Sequence, residues 1–106
     1  MTKAQKRAAL RVIKQGGFIR LKYYSDGESC VIGALALKAH VSWRTLERAN
    51  CGGICSYPSI FKSIFSVFGL TDYQQLQLQR INDSSADAPI RLKRMTKFIE
   101  KLPTCK

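Results

Sequence analysis

Between Ser29 and Ala39 the chain reads Ser-Cys-Val-Ile-Gly-Ala-Leu-Ala-Leu-Lys-Ala, with Lys38 as its single charge and small side chains at Gly33, Ala34 and Ala36. A helix of this composition has no broad wet face, so it is expected at the centre, where neighbours can approach closely over the small residues. The segments on either side read as layers around it. Upstream, Ala8, Ala9, Val12 and Ile13 recur at helical spacing, while Lys3, Arg7, Arg11 and Lys14 line the opposite side. Thr2 suits the N-cap of this helix, which runs from Ala4 to Gln15 before Gly16-Gly17 stops it. From Phe18 to Tyr24 the period changes: Ile19, Leu21 and Tyr23 alternate with Arg20 and Lys22, the pattern of a short strand or extended link. Ser25-Asp26-Gly27-Glu28 then reads as a turn that gives the central helix an acidic start.

Downstream, Ser42 suits the cap of a short helix through Ala49. Leu35-Ala36, Ala39, Val41, Leu46 and Ala49 follow helix-turn-helix spacing, which would put Trp43, Arg44 and Arg48 on a recognition helix. Against that, His40 stands where such turns usually carry glycine, and an αα-hairpin used only for packing has the same spacing. Asn50 to Tyr57 reads as a loop. Pro58 opens the next helix, with Ser56 as cap, an apolar face of Ile60, Phe61, Ile64, Phe65 and Phe68, and a stop at Gly69. Thr71-Asp72-Tyr73-Gln74 is a capping box that opens a helix to about Ile81, with Tyr73, Leu76 and Ile81 inward and the glutamines in water. Asn82 and Asp83 then break the chain, their side chains satisfying backbone groups. Asp87 and Pro89 start a last helix that ends before Pro103, with Leu92, Met95, Ile99 and Leu102 buried and Arg91, Arg94, Lys97 and Lys101 exposed. The pattern predicts an all-α or mainly α protein, a compact single-domain bundle of about five to six short helices with one short strand near 18–24.

Composition agrees with one domain over residues 1–106, because 45% hydrophobic residues suffice for a sizeable core without staples. No apolar run approaches the ~18 residues of a membrane span or the core of a signal peptide, so a soluble protein of the host cytoplasm is expected. The net charge of +11 is unevenly spread. Residues 1–22 carry seven bases (Lys3, Lys6, Arg7, Arg11, Lys14, Arg20, Lys22) and no acid, residues 23–89 are close to neutral, and residues 90–106 carry six bases against Glu100. Two basic ends around a neutral body point to an anionic partner, most simply nucleic acid. The plain alternative is that terminal helices expose more surface and carry lysine for that reason alone.

The chain offers no catalytic constellation: one histidine, His40, no nucleophile in a recognised neighbourhood, no paired carboxylates, and a Gly52-Gly53 pair without the lysine and hydroxyl of a phosphate loop. A non-enzyme without cofactor is expected. Cys30, His40, Cys51 and Cys55 are weak candidates for a tetrahedral zinc set, since no second close-spaced cysteine pair exists. Reduced thiols are the expectation, with a Cys51–Cys55 disulfide only in an oxidising setting.

Three motifs occur in order: Ser29-Cys30-Val31-Ile32-Gly33-Ala34-Leu35, Phe68-Gly69-Leu70-Thr71 with Gln74, and Ile81-Asn82-Asp83 ahead of a closing amphipathic helix. In these the chain resembles a group of small uncharacterised phage and bacterial helical proteins with the pattern Cys-x-Ile-Gly-Ala-Leu, Gly-Leu-Thr-x-x-Gln and Asn-Asp, over roughly residues 27–102. The resemblance implies a compact helical domain of the kind carried by mobile elements and brings no catalytic residues. Size, basic ends and resemblance together lead to one expectation: a non-enzymatic phage or mobile-element accessory protein that engages nucleic acid or a host nucleoprotein complex, as an anti-CRISPR-like inhibitor would. Lys3, Arg7, Arg11, Lys14, Arg91, Arg94, Lys97 and Lys101 are its expected contacts. The alternatives are a helix-turn-helix DNA-binding regulator using Trp43, Arg44 and Arg48, and an assembly protein that docks through exposed aromatics such as Trp43 or Tyr57.

Overall fold

Thr2 starts the first helix, α1 (Lys3–Lys14), with a reciprocal capping box: Thr2 Oγ1 accepts from the Gln5 amide and Gln5 Oε1 from the Thr2 amide. The computed structural model describes residues 1–52 and 57–104, with only the backbone of residues 51 and 52. Past α1 the order is β1 (Tyr24–Ser25), β2 (Glu28–Ser29), α2 (Val31–Lys38), α3 (Trp43–Gly52), α4 (Pro58–Phe68), α5 (Asp72–Asn82) and α6 (Ala88–Glu100). The architecture is therefore mainly α, with a minimal hairpin. Among the described residues no helix is long and apolar enough to cross a membrane.

α2 is central, as its composition requires. Val31, Ile32, Gly33, Leu35 and Ala36 are buried, and α1, α4, α5 and β2 all pack against it. Its start is not acidic, however. Glu28 belongs to β2, and the cap is Cys30, whose Sγ accepts from the Gly33 amide at 3.3 Å.

The alternation from Phe18 to Tyr24 does not form a strand over that span. Leu21 takes a left-handed conformation, φ 67°, which interrupts extension. The backbone groups of this strap are satisfied mainly by side chains instead of a ladder. Ile19 O accepts from Asn82, Leu21 N donates to Asp83 Oδ1, and Tyr23 N donates to Asn50 Oδ1. The strand lies one step later and finds its partner four residues on, pairing Tyr24 with Ser29 and Ser25 with Glu28. Between them Asp26 and Gly27 have φ of 50° and 81°, the signs a two-residue type I′ turn demands and the reason Asp-Gly suits it.

The apolar faces of α1, α4 and α6 read correctly in outline, with Ala9, Val12 and Ile13, then Ile60, Phe61, Ile64 and Phe68, then Met95 and Ile99 buried. Phe65 is an exception at 52% exposure, and Leu92 and Leu102 are half-buried. α5 is turned away from most of its expected face, and of that face only Ile81 packs against the core. Gln75, Leu78 and Asn82 point inward, whereas Tyr73 and Leu76 are exposed. Gln75 Nε2 donates to the carbonyls of Phe61 in the first turn of α4 and Leu70 in the α4–α5 turn, so a polar residue is the better fit there. The expected Ser56 cap of α4 lies outside the described residues; Tyr57 holds the N-cap position without a side-chain bond.

The α2–α3 turn is closed by a Schellman pair, His40 N to Leu37 O at 3.1 Å and Val41 N to Ala36 O at 2.9 Å. His40 occupies its left-handed position, φ 67°, with an exposed side chain. His40→Gly should therefore raise stability by about 0.5–1 kcal/mol, the relief of a conformation costing an L-residue roughly 1–2 kcal/mol less the entropy glycine loses on folding. Urea unfolding checks this: the midpoint should rise at constant slope, and a fall would show that the side chain holds the turn.

Candidate functional site

The two basic helices are neighbours. Near the start of α1, Lys6 Nζ donates to the carbonyls of Glu100 and Leu102 at the end of α6. At the other end, a Cβ built on Gly16 would lie 3.8 Å from Leu92 Cδ2 in the second turn of α6. α1 and α6 thus run antiparallel, in the most extensive helix contact of the fold. Lys6 is consumed as a C-terminal cap, where its charge also opposes the negative end of the helix dipole.

The other bases of this pair face water. Lys3, Arg7 and Lys14 on α1 are exposed, as are Arg94, Lys97 and Lys101 on α6. None of them is paired with a carboxylate among the described residues. Lys93, which the list of expected contacts omitted, is exposed as well and stands one turn before Lys97. Its signal was present in the charge count of the last segment. Glu100 is the one acid on either helix. Like charges crowded on adjoining helices repel, a cost that an anionic partner would remove.

Two expected contacts depart from this face. Arg11 is exposed but lines a cavity with Lys38, Val67 and Phe68, on the side of α1 that meets α4. Arg91 is half-buried and lines a different cavity, together with Gly17, Phe18 and Met95. The simple in-or-out wheel misplaced it because the chain leaving α1 folds back over the first turns of α6.

On α3, Trp43 is 45% exposed, with the Tyr24 ring 5.9 Å away and the Arg44 guanidinium 5.2 Å from its centroid. Arg48 is exposed. The connection to α2 has helix-turn-helix length, yet α3 packs mainly against β1, whereas a recognition helix is braced by the helix before it. Trp43 is thereby engaged with the hairpin through Tyr24 and with Arg44.

The four-ligand metal set does not assemble. Cys30 and His40 bracket α2, ten positions apart and so on the order of 15 Å from each other along a helix, far beyond a shared tetrahedral site. Cys30 is 1% exposed and its Sγ is occupied by the Gly33 amide, while burial pushes its thiol up to about 12. The side chains of Cys51 and Cys55, and with them the Cys51–Cys55 disulfide, lie outside the described residues. Among the described residues no group of three or more His, Cys, Asp or Glu is placed to hold a metal ion. Compared with protein-family models, curated proteins and solved structures, the chain finds no match.

Proposed function

We propose that this chain is a non-enzymatic binding protein that engages nucleic acid, free or within a nucleoprotein, through the adjoining exposed faces of α1 and α6. The observation that carries the reading is the antiparallel pairing of two helices whose outward bases, Lys3, Arg7, Lys14, Lys93, Arg94, Lys97 and Lys101, have no carboxylate partners among the described residues. Phosphates spaced along a strand match such a row, and each neutralised phosphate releases condensed counterions. The resemblance to phage and bacterial proteins fits an accessory role in a mobile element, such as inhibition of a host nucleoprotein of the CRISPR effector kind.

Four phosphate contacts would give a log–log salt slope of about −3.6 on duplex DNA and about −2.8 on a single strand, which is roughly a fifty- to hundredfold loss of affinity for a fourfold rise in salt. The quadruple variant Lys3→Glu, Arg7→Glu, Lys97→Glu, Lys101→Glu should abolish binding to a labelled oligonucleotide and leave the helical melt near that of the parent. Retention of affinity by the folded variant would refute the reading. A regulator using α3 is separated from this by Arg44→Ala, which would change base preference there and leaves it unchanged here, since phosphate contacts carry no sequence information.

A further inference from the structure

We propose that the cavity where the end of α1 meets the start of α6 receives one unstacked base of a single-stranded nucleic acid. This rests on the reading of α1 and α6 as a phosphate-binding surface and adds to it a preference for single strands over duplex. The cavity measures about 290 Å³ and is walled by Gly17, Phe18, Leu92 and Met95, with Asn82 and Arg91 as its polar side chains. Ligand pockets begin at roughly 300 Å³, so the space suits one ring system and not a larger ligand.

The amide of Asn82 is already occupied by Val31, Ile19 and Asp83. Arg91 is different. It is half-buried, lines the cavity, and its guanidinium has no hydrogen-bond or ion-pair partner among the described residues. A guanidinium without a counterion beside an apolar cavity is complementary to a flat ring carrying a phosphate, because the plane of Arg stacks on bases while its N–H groups reach phosphate oxygens. Phe18 supplies a second surface of the kind used for base stacking, which tolerates any base. On the opposite lip the backbone is bare, and a Cβ on Gly17 would meet nothing within 4 Å. Lys14 precedes this lip by three residues and Arg94 follows Arg91 by one turn. A strand whose phosphates follow α1 and α6 therefore passes the cavity mouth. In a duplex the bases stay stacked and out of reach unless unstacking is driven.

The test is fluorescence anisotropy with one labelled oligonucleotide, measured as single strand and as duplex at matched salt. The parent protein should bind the single strand about tenfold more tightly, the worth of one base stack. Ala88→Trp puts bulk at the cavity rim from an exposed first-turn position, and Arg91→Gln removes the cation; each should bring single-strand affinity down to the duplex value while duplex binding persists. Should Ala88→Trp fail to fold, Arg91→Gln alone decides. Equal parent affinity for the two forms, or discrimination that survives in a folded variant, overturns the base pocket and leaves the phosphate surface standing. Failure of the parent to bind either form overturns the underlying reading itself.

Discussion

Gly33→Ala should destabilise the protein by roughly 2–4 kcal/mol, although alanine is the better helix former by about 1 kcal/mol. The reason is a backbone contact. A Cβ on Gly33 would stand 1.9 Å from the carbonyl oxygen of Tyr23 and 3.0 Å from Ser29 Cβ. The strap that carries Tyr23 has little room to withdraw. Asn50 grips it on both sides of the hairpin entrance, accepting from Tyr23 N and donating to Tyr24 O, and Tyr24 is paired with Ser29 in the sheet. α2 cannot retreat either, since Ile32, Leu35 and Ala36 are wholly buried on its other sides. The loss is a large part of the 5–15 kcal/mol typical of a domain, and corresponds to a fall in melting temperature on the order of 10–20 °C. Thermal unfolding followed by circular dichroism measures it. Ala34→Gly in the same helix is the control, expected to cost the propensity difference of about 1 kcal/mol and up to about 0.8 kcal/mol for its half-buried methyl. If the Gly33→Ala protein melts at or above the parent, the close approach of strap and helix is wrong.

This contact shows where reading the chain alone succeeds and where it stops. The small residues of α2 announced that something must come near Gly33, but not that the visitor was the carbonyl of Tyr23. Much local chemistry was legible: the cap at Thr2, the capping box at Thr71, the proline at the start of α4 and the stop at Gly69 each depend on residues within one turn, although the cysteine cap of α2 was missed. What depends on distant partners was not. The strap looks like a strand because its apolar residues alternate, whereas its amides and carbonyls are taken by Asn50, Asn82 and Asp83 from other elements. α5 misleads for a related reason. Its buried stripe contains Gln75 and Asn82, which face inward to serve backbone groups, so ranking positions by hydrophobicity turns the helix to the wrong side. The basic ends were legible as charge, and their assembly was not. Nothing in the order of residues states that α1 and α6 adjoin; Lys6 capping α6 and Gly16 lying against Leu92 are tertiary facts.

Asn82→Leu is the second substitution with a large expected effect, a loss of about 3 kcal/mol, from unpaired polar groups and from the larger methyls at equal heavy-atom count. Asn82 is 1% exposed, accepts from the Val31 amide at 3.0 Å, and donates to the Ile19 carbonyl at 2.9 Å and to Asp83 Oδ1 at 3.0 Å. The Val31 amide belongs to the first turn of α2 and has no acceptor within its own helix. Leucine would leave that donor buried and unpaired, at roughly 1–3 kcal/mol, and the part-buried Ile19 acceptor without its partner, at a smaller cost. Urea unfolding of the variant measures the loss, and a change below about 1 kcal/mol would show that water reaches both groups. Asn82→Asp separates the two bonds by pH. The ionised carboxylate still accepts from Val31, which favours it, but it cannot donate to Ile19, is buried and faces Asp83; burial and the like charge are expected to outweigh the single amide and raise the folded-state pKa of the introduced carboxyl above the ordinary ~3.9. A group shifted upward in the folded state gives its full stability below the unfolded value and loses it as pH rises through the folded one. Protonated, the introduced group regains an O–H donor for Ile19. The variant should accordingly lie closest to the parent near pH 4 and fall progressively behind it toward pH 7, measured as the difference between the two proteins at each pH. A constant difference across that range would mean that the introduced carboxyl titrates alike in the folded and unfolded chain, and would remove this account of the Ile19 bond.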